Sequence, residues 1–322
     1  MRDNLSFYEP SLPTAPLSII SIPTDLGSDA RGLGATPEYL RARGLYRMLE
    51  GLGTEIASEV TIPCPQPPLP GPGVLKNLDE VAAVADATAQ AIEAAAGRGD
   101  TVLSIGGDHS ASIGTLRGAA QAHPSLGIIW IDAHPDVHTP ETTVTHNLHN
   151  MPAALAMGVG HPALLAERAP IAPQNFLFLG AKDFDEAEIE FLRRHSPPVF
   201  TMLDVLKGLG PLFAAIYSLS QRVERVWISM DMDAIEKSAA PGVAMPNEGG
   251  LTAREMVALA HYIGQTTKVA GIDLVEMLPS NDHEGRTAGL ALEITARLMG
   301  GEYSWYKEYM SHYENERSGA II

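Results

Sequence analysis

Short, nearly unbroken apolar runs recur along this chain, each followed by a longer amphipathic stretch, and that alternation narrows the possible folds more than any other feature. Leu17 to Ile22, Thr101 to Ile105, Gly127 to Ile131, Asn175 to Leu179, Val223 to Met230 and Lys268 to Val275 read as strands. They do not alternate apolar with polar, so both faces of each strand are covered, as in a parallel sheet. Helical spacing fills the intervals at 76–97, 112–122, 185–195, 211–221, 252–264 and 285–299. Repeated strand–helix–strand units of this kind define an α/β fold with a mostly parallel sheet. Thr36-Pro37-Glu38 reads as a helix start, with Thr36 as N-cap, proline in the first turn and glutamate at the positive end of the dipole. The proline-rich stretch 62–73 reads as a surface connection.

Composition bounds the function. The 322 residues are 45% hydrophobic and 19% charged, enough to bury a large core. The formal net charge is −17, which argues against nucleic acid or an anionic membrane as partner, since both reward a basic face. A single cysteine, Cys64, excludes an internal disulfide framework and fits a reducing cytoplasm. The N-terminus shows no basic-then-apolar signal pattern, and no apolar run reaches the roughly 18 residues of a membrane span, so a cytoplasmic location is expected. One domain over 1–322 is expected, with 302–322 as a C-terminal tail that carries five of the nineteen aromatic residues. That tail reads as docked on its own domain or as a subunit contact.

Four segments place acids and imidazoles just past the ends of expected strands. They are Gly106-Gly107-Asp108-His109-Ser110, the run from Asp132 through His134 and Asp136 to His138, Asp231-Met232-Asp233, and Glu276. Each alone reads as a turn or a cap. Together they fall where open parallel sheets bind ligands, beyond the carboxyl ends of strands. Asp132, Asp136, Asp231 and Asp233 would each cost several kcal/mol if buried unpaired, and a pair of divalent cations removes that cost. Carboxylate and imidazole without thiolate suit Mn²⁺ better than structural zinc. Two metals a few Å apart hold and acidify a water. Four of the eleven histidines lie within 134–149, and His146 and His149 are the acid–base candidates there.

These motifs, in this order, resemble those of the ureohydrolases (arginase, agmatinase and relatives) over roughly residues 17 to 300. The resemblance implies a three-layer α/β/α fold and two Mn²⁺ ions per chain. It implies that His109, Asp132, Asp136 and Asp231 hold one ion and that Asp132, His134, Asp231 and Asp233 hold the other. It also implies that a small cationic guanidino substrate is hydrolysed to urea and an amine, with Asp136 hydrogen-bonded to the attacking water. Glu276 matches the carboxylate that pairs with the guanidinium, and His149 the histidine that relays protons. The loop from Thr139 to His149, including Thr145 and Asn147, is similar to the arginase loop that receives the substrate's α-carboxylate and amino group. Asp185 and Glu188 resemble the segment at the α-amino end. Trimers or hexamers are common in the family, so a homo-oligomer is implied.

Departures from the family pattern bear on substrate choice. His138 stands where arginases usually carry asparagine, Thr145 where they often carry serine, and His146 and Asn150 replace glycines. Met245 replaces a threonine, and Glu236-Lys237 the usual Asp-Pro. L-arginine or a related guanidino acid is the expected substrate. The alternatives are an agmatinase, a formiminoglutamase-type hydrolase, or a catalytically inactive metal-binding regulator. A metal-dependent deacetylase would hold one metal rather than two. A nucleotide-binding reading fails because Gly27-x-x-x-x-Gly32-x-Gly34 has neither the dinucleotide spacing nor a Gly-Lys-Ser/Thr step.

Overall fold

A computed structural model describes residues 15–65, 75–166, 168 and 170–301. Most of the proline-rich connection and the aromatic tail 302–322 lie outside the described residues. The strands are β1 (Leu17–Ile22), β2 (Ile56–Thr61), β3 (Thr101–Gly106), β4 (Leu126–Ile131), β5 (Phe176–Ala181), β6 (Val199–Thr201), β7 (Arg225–Asp231) and β8 (Val269–Val275). They form one sheet in the order β2-β1-β3-β8-β7-β4-β5-β6, and every neighbouring pair is parallel. The helices are α1 (Thr36–Ala42), α2 (Leu45–Gly51), α3 (Leu78–Gly97), α4 (Ala111–Ala122), α5 (Pro152–Ala156), α6 (Glu186–His195), α7 (Met202–Val205), α8 (Gly210–Arg222), α9 (Ala253–Thr266) and α10 (Arg286–Leu298).

Alternation along each strand divides the core in two. Ile19, Leu103, Ile129 and Ile131 join α1, α2, α8, α9 and α10 on one face. Ile20, Val102, Ile128 and Trp130 join α3, α4, α5 and α6 on the other. This is the three-layer α/β/α arrangement, and it explains why the inner strands read as continuous apolar runs: β1, β3, β4 and β5 are buried at every position. Edge strand β2 is mostly exposed and carries a glutamate, and β6 is three residues long. No helix among the described residues is long and apolar enough to cross a membrane. The first helix starts one residue earlier than its sequence signals: Thr36 lies inside α1 and Ala35 is the cap, without a side-chain cap bond. The Thr36 hydroxyl instead donates to the Met277 carbonyl at 2.7 Å, tying α1 to the segment after β8.

The consequence for function lies in strand order. β3, β8, β7 and β4 are consecutive in the sheet, and their carboxyl ends carry the four acid- and imidazole-rich segments. One further contact locks the turn after β3. Gly107 donates to the Ile22 carbonyl at 3.1 Å, and a Cβ built on it would lie 1.7 Å from the Thr24 carbonyl oxygen. Only a residue without Cβ permits that approach. Gly107→Ala should therefore destabilise the fold by about 3 kcal/mol or more, since backbone rather than a flexible side chain must move. Urea unfolding measures it, and an unchanged midpoint would contradict this packing.

Candidate metal centre and its cavity

His109 lies at the turn from β3 into α4, 1% exposed, its ring stacked on Trp130 at 4.3 Å between centroids. Its Nδ1 is 3.1 Å from Asp132 Oδ2, 3.0 Å from Asp136 Oδ2 and 3.2 Å from Asp231 Oδ2. One ring nitrogen cannot serve three acceptors, and this buried atom makes a well-formed hydrogen bond to none of them. The arrangement fits a nitrogen lone pair and three carboxylate oxygens gathered about a shared cation. A second group shares Asp132: His134 Nδ1 lies 3.4 Å from Asp132 Oδ1 and 3.2 Å from Asp233 Oδ2. The ligand atoms of His109, Asp132 and Asp136, and those of Asp132, His134 and Asp233, are close enough to hold metal ions.

Local backbone geometry aims these groups. Asp132 Oδ1 accepts from the His134 amide at 2.7 Å, and Asp231 Oδ1 accepts from the Asp233 amide at 2.7 Å. In each pair Oδ1 fixes the chain while Oδ2 faces His109, and Asp132 Oδ1 faces His134 as well. Asp136 and Glu276 both sit in the left-handed region, at φ 49° and 62°, as does His146 at 57°. Such backbone costs on the order of 1 kcal/mol or more per residue and concentrates at functional sites. The chain therefore bends at Asp136, within the run from Asp132 to His138.

Burial and mutual repulsion raise the pKa of Asp231 well above the carboxylate range, and push Asp233 up to about 6. Asp136 is raised by burial and by the Asp132 charge. Burial also opposes ionisation of Asp132, but His109 and His134 outweigh it and hold Asp132 below the usual value. Both imidazoles are correspondingly raised by these acids despite burial. Electrostatically the cluster demands positive charge.

Beside it opens a cavity of about 200 Å³ that reaches His134, Asp136, Asp231 and Asp233. His149 and Glu276 line one side, with Glu276 Oε1 3.2 Å from His149 Nδ1 and accepting from the His109 amide at 2.8 Å. His138, Thr145, Asn150, Glu188 and Met245 complete the wall. His138 is anchored at both nitrogens: Nδ1 is 3.1 Å from Thr142 Oγ1, and Nε2 is 3.1 Å from Asp185 Oδ2 and 4.0 Å from Glu188 Oε1. Asp185 and Glu188 also form the capping box of α6, which gives them a structural task. Burial, together with the Asp136 charge, pushes Glu188 up to about 7. Asn147 does not line the cavity; its amide donates to Asp29 Oδ2 at 3.1 Å.

Two supports carry no clear signal in the sequence. Asp108 is fully buried and accepts from the Gly27 amide at 2.8 Å, while the Gly27 carbonyl accepts from the amides of Leu148 and His149 at 3.0 and 3.1 Å. The glycine-rich loop thus holds the His149 backbone. A Cβ on Gly27 would lie 2.5 Å from Ser110 Cβ, so the contact with the β3 turn requires glycine. Among the described residues His138, Asp185 and Glu188 form a third group with ligand-like spacing, although Asp185 is about half exposed.

The family model described as the arginase family matches residues 15–300. An arginase from Bacillus caldovelox is 36% identical over 293 residues, spanning 88% of this chain and 98% of its own. Its solved structure superposes with a TM-score of 0.86, covering 90% of this chain and all of that one. An arginase from Bacillus subtilis is 32% identical over 288 residues, covering 88% of this chain and 97% of its own. A formimidoylglutamase from Bacillus subtilis, at 22% identity and a TM-score of 0.72 over 89% of this chain and 87% of its own, shares the fold.

The His149–Glu276 pair gives a pH-dependent prediction. Burial disfavours the imidazolium, but the Glu276 hydrogen bond and the charges of Glu276, Asp136 and Asp108 outweigh it and raise His149 to about 9. A folded-state value above the unfolded value stabilises fully below about pH 6.5, and that stability is lost as pH rises through about 9. In chelator-treated protein the Tm difference between wild type and Glu276→Gln should shrink from pH 6 to pH 10. A constant or growing difference would contradict the pairing.

Proposed function

The chain belongs to the arginase family, and on that premise we propose that it is an amidinohydrolase releasing urea and an amine from L-arginine or a related guanidino acid. The observation that carries this reading is the His109 Nδ1 atom facing three carboxylate oxygens at 3.0 to 3.2 Å, two of them from Asp136 and Asp231, which line a cavity shared with His149 and Glu276. His109, Asp132, Asp136 and Asp231 would hold one Mn²⁺ ion, and Asp132, His134, Asp231 and Asp233 the other. When bound, the ions acidify a water and offset charge developing on the substrate.

The chain's own residues do the rest. Glu276 accepts hydrogen bonds from the planar guanidinium. Asp136 accepts one from the attacking water and aligns it. The water oxygen bonds to the guanidinium carbon and gives up both protons as the bond from that carbon to the substrate-chain nitrogen breaks: one passes by way of Asp136 to that nitrogen, and the other restores the proton that His149 gives. That nitrogen takes its second proton from His149, whose ring Glu276 holds at Nδ1. Glu276 fixes the donor by holding Nδ1, leaving Nε2 free to give the proton.

Relatives above 30% identity that are named arginases favour L-arginine or a related guanidino acid over agmatine or a formimino compound. His138 and Thr145 would contact the substrate's far end, while Asp185, Glu188 and Asn147 shape that end through their links to His138 and the loop. We further read residues 1–322 as one catalytic domain of a cytoplasmic homo-oligomer, a trimer or hexamer.

His149→Ala should lower kcat by about two to four orders of magnitude and leave the metal content unchanged. Coupled urea detection and elemental analysis read this; an unchanged kcat, or a lost ion, would contradict the role. His138→Asn frees Asp185 for a substrate ammonium, so kcat/KM for L-arginine should rise relative to the guanidino acid of equal length without the α-amine. An unchanged ratio would remove His138 from substrate selection.

A further inference from the structure

Asp273 is a carboxylate on β8 with no solvent exposure, set among the apolar residues of the sheet. Among the described residues no lysine or arginine pairs with it; two hydroxyls do. Ser112 Oγ donates to Asp273 Oδ2 at 2.9 Å, and Thr115 Oγ1 donates to the same oxygen at 2.6 Å, both from α4. A buried carboxylate costs more than an apolar residue of the same volume, so the fold alone gives no reason for an acid here. The chain of contacts does not stop at Ser112. Ser112 Oγ is 3.2 Å from Ser229 Oγ on β7, and Ser229 Oγ is 2.9 Å from His109 Nε2. All four side chains are buried.

The direction of the chain is set by the capacity of each atom. Burial raises the pKa of Asp273, while the donors Thr115, Trp227 and Ser112 favour its ionised form, which only accepts; the Ser112 hydroxyl then spends its hydrogen on Asp273. Ser112 Oγ is then left to accept from Ser229. Having donated its own hydrogen, Ser229 Oγ accepts from His109 Nε2–H. An imidazole that keeps its proton on Nε2 presents Nδ1 as a lone pair, and Nδ1 is the atom that faces Asp132, Asp136 and Asp231.

We propose that Asp273, acting through Ser112 and Ser229, is a positioning residue that fixes the tautomer and ring orientation of His109 for metal binding. This rests on the assignment of His109 as a metal ligand. Asp273 touches neither substrate nor metal; it orders two hydroxyls, and their order sets the ligand. Reversing the chain would place a hydrogen on Nδ1, pointed at the cation.

The test uses the full chain, loaded with Mn²⁺ against a competing chelator. Ser112→Ala breaks the relay with the smallest change in volume, and its Kd for Mn²⁺ should rise about tenfold or more. Its Tm in excess chelator should stay within a degree or two of wild type. Ser112→Thr restores the hydroxyl and should restore affinity. Asp273→Asn is able to donate as well as accept, so it should weaken binding at least as much. Wild-type affinity in Ser112→Ala would overturn the relay. So would a loss of affinity matched by an equal fall in metal-free Tm and not rescued by threonine. Failure of the wild-type chain to bind Mn²⁺ would instead overturn the metal assignment beneath it.

Discussion

Uncompensated negative charge is the constraint around which the centre of this molecule is organised. Asp132, Asp136, Asp231 and Asp233 are each no more than 6% exposed, and their carboxylates converge on two imidazoles. Burial raises three of the four acids, while Asp132 stays ionised only by leaning on His109 and His134. Removing such charges from water costs several kcal/mol per ion, more than hydrogen bonds among the same residues return. Divalent cations, held as proposed, would resolve the conflict, and the same positive charge would acidify a water for the proposed hydrolysis.

The sheet delivers those acids without long loops. Strands β3, β8, β7 and β4 lie side by side, so four segments remote in sequence end within a few Å of one another. The turns beyond these strands are held by backbone rather than by side-chain packing. Gly107 accepts the Glu276 amide at its carbonyl, and Gly27 accepts the amides of Leu148 and His149. The proposed proton donor and guanidinium partner are therefore tied to the same turn that presents His109. A displacement at that turn would reach both.

Much of this is legible in the sequence, for physical reasons. A strand covered on both faces must be apolar throughout, so β1, β3, β4, β5, β7 and β8 announce themselves. Edge strand β2, with Glu59 and Val60 exposed, and the three-residue β6 do not. The short helices α2, α5 and α7 are each seven residues or fewer, below the length at which periodicity is readable. The acids at strand ends stand out because chemistry-bearing residues cluster where a parallel sheet opens. Their supports do not. Ser112, Ser229 and Asp273 are isolated polar residues within apolar elements, and only their mutual distances link them to His109. Asp185 and Glu188 show the reverse case: they resemble the family's substrate segment, and they also form a helix capping box.

The claim on which the rest depends is that two cations complete this cluster. Chelator-treated protein should be titrated with Mn²⁺ while bound metal is counted by elemental analysis and urea release from a guanidino acid is monitored in parallel. The account predicts two ions retained per chain, with urea release appearing as they bind. Saturation at a single ion, or urea release undiminished in the metal-free chain, would contradict it.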